Sequence, residues 1–548
     1  MKYFFGSLLS FLISISAFAQ NNLGVDYFSL GEMKLAKEYF TKNVGVSPAE
    51  SHYYLGEIAY REGNMAEAKS QYEQGLASDP TAALPAIGLA KLQLKSNTKA
   101  AEDQLKDIQK KNRKDMNVIL AIAQAYLDNG MKAKAMDRLQ DARKADRKSP
   151  AIYIFEGDML AKENKPGDAA MQYDQAINFD ANCVLAYMKG AFVYEFINRK
   201  TATDKLKKVI EIRPDFRIAY KALADISYRD GFYPAAIEAF EKYFEGGSYT
   251  MDDITRYAAA QYFTQQYDAA KTLIQEGLTK DANNFVLNRL LMYTSNDTKD
   301  FATGVAAGDK FFSIPRDDSS RYLVQDYLSF ANVLSETGNK TKAVEQYKKA
   351  IELDPTKIDL YKEIATILAR ENMEADAAEF YKTFIEKSGE SAQAIDYFQL
   401  GRYYYFAGEN AKNDTVNMTK EQAWQKAVAF YNNADATFAV VAERIPESYM
   451  GNFWRARVNA LLDPETTGGL ARPYYEKTAE IIVAGESSDN NVQLIEAYRY
   501  LAYYYYLQFD KSKKAEDKAQ VKAYSEKILG IDPNNATAQQ FLEFANSK

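Results

Sequence analysis

The chain has 548 residues, of which 26% are charged and 47% hydrophobic, and its formal net charge at pH 7 is −7. This acidic balance argues against nucleic acid as the main partner, because phosphate binding requires a basic surface. One histidine, His52, and one cysteine, Cys183, exclude a Cys/His zinc site and an intrachain disulfide framework, and no G-x-S-x-G motif supplies a serine nucleophile. The composition thus removes many enzyme classes and predicts no metal site and no cofactor.

Residues 1–19 have the pattern of a secretory signal peptide. Lys2 forms a short charged start, Tyr3–Ser16 is apolar, and Ala17-Phe18-Ala19 is a small-residue cleavage site before Gln20. No later apolar stretch approaches the roughly 18 residues that a membrane-spanning helix needs. The mature protein is therefore predicted to be exported and to have no transmembrane span.

Small residues then recur along the chain at a fixed spacing. A Gly or Ala is followed twelve residues later by Ala in ten places, and adjacent pairs lie 32 to 35 residues apart. Two short helices can cross closely only where side chains are small, and an aromatic one turn further along fills the space beside the crossing. The pairs are Gly24/Ala36, Gly56/Ala68, Gly88/Ala100, Ala123/Ala135, Gly157/Ala169, Gly190/Ala202, Ala224/Ala236, Ala258/Ala270, Ala331/Ala343 and Ala365/Ala377. The aromatics four residues after the Ala are Phe40, Tyr72, Tyr173, Phe240, Tyr347 and Tyr381.

This period and pattern resemble the tetratricopeptide repeat. Tyr54-Leu55-Gly56 through Ala68, Tyr72 and Pro80 matches it well, as does Phe330-Ala331 through Ala343, Tyr347 and Pro355. The resemblance implies an all-α, right-handed superhelical solenoid of about fourteen helix pairs. The segment Ala536–Phe544 is predicted to be a C-terminal capping helix.

The less regular segments predict how the solenoid is divided. Residues 20–295 are predicted to form an N-terminal array, residues 296–323 a degenerate junction, and residues 324–548 a C-terminal array. The C-terminal array contains three insertions, predicted as loops on one face. They cover Glu409–Gln425, Asp463–Gly469 and Asp510–Gln520.

The resemblance also implies where partners bind. In this family the first helix of each repeat lines a concave surface that binds peptides or folded proteins. Carried onto this sequence, the groove positions are rich in tyrosine and arginine, the residue types that dominate binding hot spots. The candidates are Tyr60, Arg61, Tyr194, Tyr228, Arg229, Tyr262, Phe263, Arg402, Tyr405, Phe406, Tyr503 and Tyr506. The alternative is that these aromatics are packing residues, since four consecutive rings such as Tyr503–Tyr506 cover about 300° of a helix and cannot share one face.

Three functions compete. The first is a noncatalytic scaffold in the periplasm of a Gram-negative bacterium, which binds protein partners in a cell-envelope assembly and by analogy works near the outer membrane. The second is an outer-membrane-associated glycan-binding protein using aromatic residues, although sugar platforms favour tryptophan and only Trp424 and Trp454 are present. The third, a glycosidase built on paired carboxylates, lacks a separate catalytic domain, so the chain is predicted not to be an enzyme. Asp414-Thr415-Val416 resembles a bacterial O-glycosylation site, which makes Thr415 a candidate for modification.

Overall fold

The computed structural model describes residues 23–315, 321–414, 416–485 and 488–547. The predicted signal peptide and Thr415 lie outside these residues. The described residues form α-helices with two short 3-10 turns and no strand, which confirms the all-α prediction. The first sixteen helices are α1 (23–30), α2 (Met33–Asn43), α3 (Pro48–Arg61), α4 (Met65–Ser78), α5 (Ala83–Gln93), α6 (Thr98–Lys111), α7 (Met116–Asp128), α8 (Lys132–Asp146), α9 (Pro150–Lys162), α10 (Pro166–Phe179), α11 (Val184–Tyr194), α12 (Arg199–Ile212), α13 (Arg217–Arg229), α14 (Tyr233–Phe244), α15 (Met251–Phe263) and α16 (Tyr267–Lys280). The others are α17 (Phe285–Asp297), α18 (Phe301–Ser313), α19 (Val324–Glu336), α20 (Lys340–Leu353), α21 (Asp359–Arg370), α22 (Glu374–Ser388), α23 (Ala394–Asn413), α24 (Lys420–Arg444), α25 (Met450–Leu462), α26 (Arg472–Ala484), α27 (Asn491–Ser512), α28 (Ala515–Ile531) and α29 (Ala536–Asn546).

The helices follow one another as pairs. Fourteen pairs, α1/α2 to α27/α28, precede the single helix α29 in the described part of the chain, as predicted. The chain divides into two compact units, Met1–Leu273 (unit 1) and Ile274–Lys548 (unit 2). The boundary between them falls within α16. Within a unit, the two helices of a pair pack on each other, as in α3/α4 and α23/α24.

Small residues mark the helix crossings, as the spacing predicted. The Ala of the second helix is completely buried in nine of the ten predicted pairs. The exception is Ala100, which is exposed, while Ala101 beside it is completely buried. The pairing of Gly88 with Ala100 was therefore wrong. Its cause is local: α6 begins ten residues after Gly88, whereas α4 begins nine residues after Gly56, so the buried position moves by one.

The aromatic four residues after the Ala packs against these crossings. All six aromatics predicted for this role are buried. Tyr72 is completely buried between two glycines: a Cβ added to Gly56 would lie 2.4 Å from its Cε1, and one added to Gly88 would lie 2.5 Å from its ring. Neither glycine can therefore gain a side chain without displacing the ring.

The predicted insertions differ from their expected form. Glu409–Asn413 completes α23 and Lys420–Gln425 begins α24, so that α23 has 20 residues and α24 has 25. Most of Asp510–Gln520 likewise extends α27 and α28. Polar, Lys- and Glu-rich sequence suits an exposed helix face as well as a loop, and only Asp463–Gly469 remains a connection between helices. The segment 296–323 includes α18, which packs on α17 as an ordinary pair, and its role as a junction stays a prediction.

Gly401→Ala tests how tightly a crossing is packed. Its Cβ would lie 2.6 Å from Cε1 of the completely buried Phe438, so we expect a loss of about 1–3 kcal/mol in unfolding free energy. Gly530→Ala in α28 is the matched control, because its Cβ would meet nothing within 4 Å, and it should stabilise by up to about 1 kcal/mol. Urea unfolding followed by circular dichroism measures both. Equal effects of the two substitutions would contradict the close packing at Gly401.

Candidate functional site

The first helices of successive pairs contact one another and line one surface of each unit. In unit 1 the contacts run from α3 to α5, α5 to α7, α7 to α9, α9 to α11 and α13 to α15, and in unit 2 they include α17 with α19. We call this the first-helix surface. It is the surface on which the resemblance placed the partner-binding residues.

A buried charged cluster joins the first helices of unit 1. The ammonium group of Lys91 on α5 lies 2.6 and 2.7 Å from the two carboxylate oxygens of Glu57 on α3, and 3.4 Å from Asp128 on α7. Lys91 is 2% exposed and Glu57 is 4% exposed. The hydroxyl of Tyr72, from the second helix α4, donates to Glu57 at 2.7 Å. The Glu57 carboxylate thus joins α3, α4 and α5, and Lys91 links this group to Asp128 of α7.

The same arrangement recurs along both units. In each case a buried tyrosine of a second helix donates its hydroxyl to a carboxylate of a first helix. These tyrosine–carboxylate clusters are Tyr72–Glu57 (2.7 Å), Tyr173–Asp158 (2.8 Å), Tyr243–Asp253 (3.2 Å), Tyr381–Asp396 (3.2 Å), Tyr475–Glu496 (3.0 Å) and Tyr431–Glu409. A Lys or Arg from a neighbouring first helix pairs with five of these carboxylates: Lys91, Lys189, Lys221, Lys362 and Arg457.

Burial raises the pKa of all six tyrosines, and the carboxylate that accepts from each hydroxyl raises it further. The hydroxyl therefore stays protonated and remains a donor. Six of the 41 tyrosines of the chain thus form hydrogen bonds between helices within the two units. These ion pairs leave a signal in the sequence that the choice of groove positions did not use. The two residues of Glu57/Lys91 lie 34 positions apart and those of Asp158/Lys189 lie 31 apart, which is about one repeat.

The predicted site residues of α3 face neighbouring helices. The Tyr60 ring lies 3.8 Å from the Lys91 ammonium group. The guanidinium of Arg61 lies 3.8 Å from the centre of the Phe28 ring on α1, and its Nη1 donates to the Phe28 carbonyl at 3.4 Å. Both residues are therefore engaged within unit 1.

Three more predicted residues in unit 1 make polar or aromatic contacts of their own. The Tyr194 hydroxyl donates to Asp174 at 2.7 Å, and this hydrogen bond, together with burial, raises the pKa of Tyr194 to about 12. Arg229 pairs with Glu195, which directly follows α11, and the Tyr228 ring packs edge-on against Tyr233. The arginines predicted to contact a partner thus form contacts inside the unit.

The end of α15 presents the most exposed predicted aromatic. Phe263 is 52% exposed and stacks on Tyr233 with a centroid distance of 4.7 Å. Tyr262 is half-buried and packs edge-on against Phe263. Phe232, at the turn before α14, is 65% exposed.

α1 contacts residues of unit 1 that are far away in sequence. Asp26 of α1 pairs with Arg213, which precedes α13, at 2.7 Å, and the Tyr27 ring stacks on Phe216 at 5.9 Å. The Lys189 ammonium group on α11 donates to the Ser29 carbonyl at 2.8 Å. The first pair therefore contacts the sixth and seventh pairs, which are more than 150 residues away in sequence.

In unit 2, the four consecutive rings of α23 divide between core and surface. Tyr403 and Tyr404 are buried, Tyr405 is half-buried, and Phe406 is 38% exposed. The Tyr405 ring packs edge-on against Trp454 at 5.2 Å. Tyr405 is thus largely a packing residue, whereas Phe406 reaches the surface.

Arg402 lies beside the exposed end of this run. Its guanidinium carbon is 5.9 Å from the centre of the Phe406 ring. Its Nε is buried and has no hydrogen-bond partner within the described residues. Arg402 and Phe406 are therefore brought together on one face of α23.

A pocket of about 360 Å³ lies between α27 and α29 in unit 2. Its lining includes the predicted residue Tyr503, which is 42% exposed, and Arg499, Tyr500 and Phe541, which the sequence analysis missed. Tyr503 stacks against Tyr506 at 6.4 Å, and Tyr506 packs against Phe541 and Phe544 of α29. Glu496, Tyr475 and Thr537 complete the lining. Tyr506 thus positions the capping helix, and Tyr503 faces the pocket.

Within the parts of the chain that the structure describes, no group of three or more His, Cys, Asp or Glu side chains is arranged to hold a metal ion. No helix there is long and apolar enough to span a bilayer. Both tryptophans are partly buried and pack against the core of unit 2.

Comparison with known proteins identifies the repeat. Residues 49–82, which contain α3 and α4, and residues 327–357, which contain α19 and α20, match family models of the tetratricopeptide repeat. No curated protein matches the chain significantly.

Several solved structures are similar in fold. The C-terminal part of a TPR repeat-containing protein from Cytophaga hutchinsonii is 25% identical, with 58% of this chain and 98% of that one covered and a TM-score of 0.33. PilW, a type IV pilus biogenesis factor, is 20% identical, with coverages of 37% and 94% and a TM-score of 0.30. A tetratricopeptide repeat protein from Parabacteroides merdae is 14% identical, with coverages of 46% and 98% and a TM-score of 0.29. At these TM-scores the similarity says nothing about the partners of this chain.

The two matched repeats lie one in each unit. Both have the helix-pair form that continues through the described residues on either side. The chain thus contains tetratricopeptide repeats in both units.

Proposed function

We propose that the protein is a noncatalytic scaffold that binds protein partners of a cell-envelope assembly through the first-helix surface of unit 2. The tetratricopeptide repeat is generally a protein-interaction fold, and each repeat contributes to an extended surface. The observation that carries the proposal is the pocket between α27 and α29. It combines exposed aromatic surface from Tyr503 with a guanidinium, Arg499, to which no described side chain is paired.

The chemistry of this pocket suits a peptide segment. Tyrosine and arginine together offer a large contact area and directional donors, which is why they dominate protein–protein hot spots. Phe406, exposed on α23, adds a second aromatic contact point on the same kind of helix. In unit 1, by contrast, the predicted arginines already have partners within the unit.

The compartment is part of the proposal. The charged start, apolar run and small-residue site in residues 1–19 support export to the periplasm of a Gram-negative bacterium, with work near the outer membrane as the analogy suggests. N-terminal sequencing of protein purified from periplasmic extract should begin at Gln20. A chain that still begins at Met1 and remains in the cytoplasm would contradict export.

Crosslinking in the native host tests the partner site. A C-terminally tagged chain should capture a defined set of envelope proteins, and the double variant Arg499→Glu/Tyr503→Ala should lose at least tenfold of that capture. Lys511→Glu is the matched control, because it makes the same charge change at an exposed position of the same helix. Circular dichroism should show that all three proteins stay folded.

Two outcomes would count against this proposal. Equal capture by the double variant and by Lys511→Glu would place the partner elsewhere than the α27/α29 pocket. Purification of the tagged wild-type chain alone would remove the scaffold function itself. The glycan alternative gains no support from the tryptophans, because both pack against the core of unit 2.

A further inference from the structure

α1 is held by unit 1 in the way that a receptor holds a short peptide. Its residues 23–30 form only about two turns of helix. On one side Phe28 packs edge-on against Tyr54 of α3 at 5.3 Å. On the other side Asp26, Tyr27 and Ser29 contact the sixth and seventh pairs. Asp26 and Tyr27 thus contact the segment that precedes α13, whereas the next residue, Phe28, contacts α3.

The groups that receive α1 are held in place by their own unit. Two carboxylate oxygens of Asp158, each at 2.8 Å, orient the Lys189 ammonium group toward the Ser29 carbonyl. The Arg213 guanidinium lies 4.7 Å from the centre of the Phe216 ring. Both cations that contact α1 therefore also contact other residues of unit 1, Lys189 through Asp158 and Arg213 through the Phe216 ring.

The receiving surface has a defined chemical complement. Arg213 requires a carboxylate, the Phe216 ring requires an aromatic or apolar ring, and Lys189 requires an acceptor at the end of a helix, where carbonyl groups lack partners. α1 meets all three with the Asp26 carboxylate, the Tyr27 ring and the Ser29 carbonyl. Phe216 is completely buried while α1 is in place. Departure of α1 would expose this ring to water, so a replacement with the same chemistry would be favoured.

We propose that α1 is a resident ligand that occupies a peptide-binding seat of unit 1, formed by Lys189, Arg213 and Phe216. The seat takes a short helical segment of a partner protein in which an acidic residue directly precedes an aromatic one. Such a segment binds only when α1 leaves. This seat is in unit 1 and the proposed partner site is in unit 2, so either can fail without the other.

Competition between α1 and an added peptide should lower the apparent affinity of the seat for that peptide. A seat that is free only part of the time binds with an apparent affinity reduced by the free fraction. Opening α1 should therefore strengthen the binding of an added peptide without changing the seat. The probe is a fluorescein-labelled synthetic peptide with the sequence Leu23–Glu32, and its anisotropy is followed with the full chain.

Asp26→Arg is the opening variant, because it places a second cation against Arg213. We expect it to bind the peptide at least tenfold more tightly than the wild-type chain does. The charge reversal Asp26→Arg/Arg213→Asp restores an ion pair and should return binding to the wild-type level or below. A control peptide that carries Asp26→Arg should not bind the opening variant.

Amide hydrogen exchange of residues 23–30 measures whether α1 has left the seat. It should be faster in Asp26→Arg than in the wild-type chain, with exchange in α13 and α14 unchanged. Faster exchange without tighter peptide binding would overturn the proposal, as would equal binding by the wild-type chain. Concentration-dependent dimers that exclude the peptide would also overturn it, since they would show that α1 of a second copy fills the seat.

Discussion

Replacement of Lys91 by Met should destabilise unit 1 by about 3–5 kcal/mol. Lys91 is 2% exposed, and its ammonium group is the charge that balances the buried Glu57 carboxylate. Removing one partner of a buried pair leaves the other charge without compensation in a region of low dielectric, and that cost exceeds the value of the pair itself. Tyr72 would still donate to Glu57, but a neutral donor replaces only part of the lost interaction.

A double variant separates the unpaired charge from other effects. Lys91→Met/Glu57→Gln removes both charges and retains an acceptor for the Tyr72 hydroxyl, so it should recover most of the lost stability. Asp128, the third member, has a side chain that is 21% exposed and can be hydrated. The surface control is Lys69→Met, whose pair with Glu73 is one helical turn apart and more than half exposed on both sides. Its loss should be below about 0.5 kcal/mol.

The measurement must resolve individual repeats, because the stability of a repeat array is distributed over neighbouring units. Native-state amide hydrogen exchange of α3, α5 and α7 should show the loss in Lys91→Met, while α25 to α28 keep their protection. If Lys91→Met and Lys69→Met cost the same, Lys91 does not have the structural role assigned to it.

The sequence predicted the repeat well because its signal is local. A small residue, a second small residue twelve positions later and an aromatic four beyond that all lie within one helix pair, and a crossing such as Gly56/Ala68 requires them. The one misplaced crossing, at Ala100, followed from one additional residue in a connection. Spacing alone therefore located ten helix pairs, whereas the total of about fourteen pairs followed from the resemblance to the repeat family.

The candidate site was harder to predict because its contacts cross repeats. The resemblance assigns groove positions one repeat at a time, whereas Arg229 pairs with Glu195, which directly follows the first helix of the preceding pair. The ion pair between Asp26 of α1 and Arg213 joins residues that are 187 positions apart. A repeat of about 34 residues in the sequence does not predict such a contact. The α27/α29 pocket likewise depends on where Phe541 of the capping helix comes to lie.

Alkaline pH should destabilise the protein steeply, because six buried tyrosines release their protons only on unfolding. In the folded chain, burial and the adjacent carboxylate hold the pKa of Tyr72, Tyr173 and Tyr431 above the ordinary value of 10. The other three tyrosine–carboxylate clusters behave in the same way. The folded state therefore binds more protons than the unfolded state above pH 10, so the stability is fully present below pH 10 and falls as the pH rises beyond it.

Each such tyrosine contributes a fall of up to about 1.4 kcal/mol per pH unit between pH 10 and its folded pKa. Tyrosinate absorbance at 295 nm should accordingly show a late step that coincides with the loss of helix by circular dichroism. Tyr72→Phe removes one titrating group, so the unfolding free energy of this variant should fall less steeply above pH 10 than that of the wild-type chain. Phe240→Leu is the control, because it changes a completely buried second-helix ring that has no hydroxyl and should leave the slope unchanged. Tyrosinate formation that is complete before any helix is lost would contradict this prediction. A buried hydroxyl that donates to a carboxylate cannot ionise until the helices around it separate.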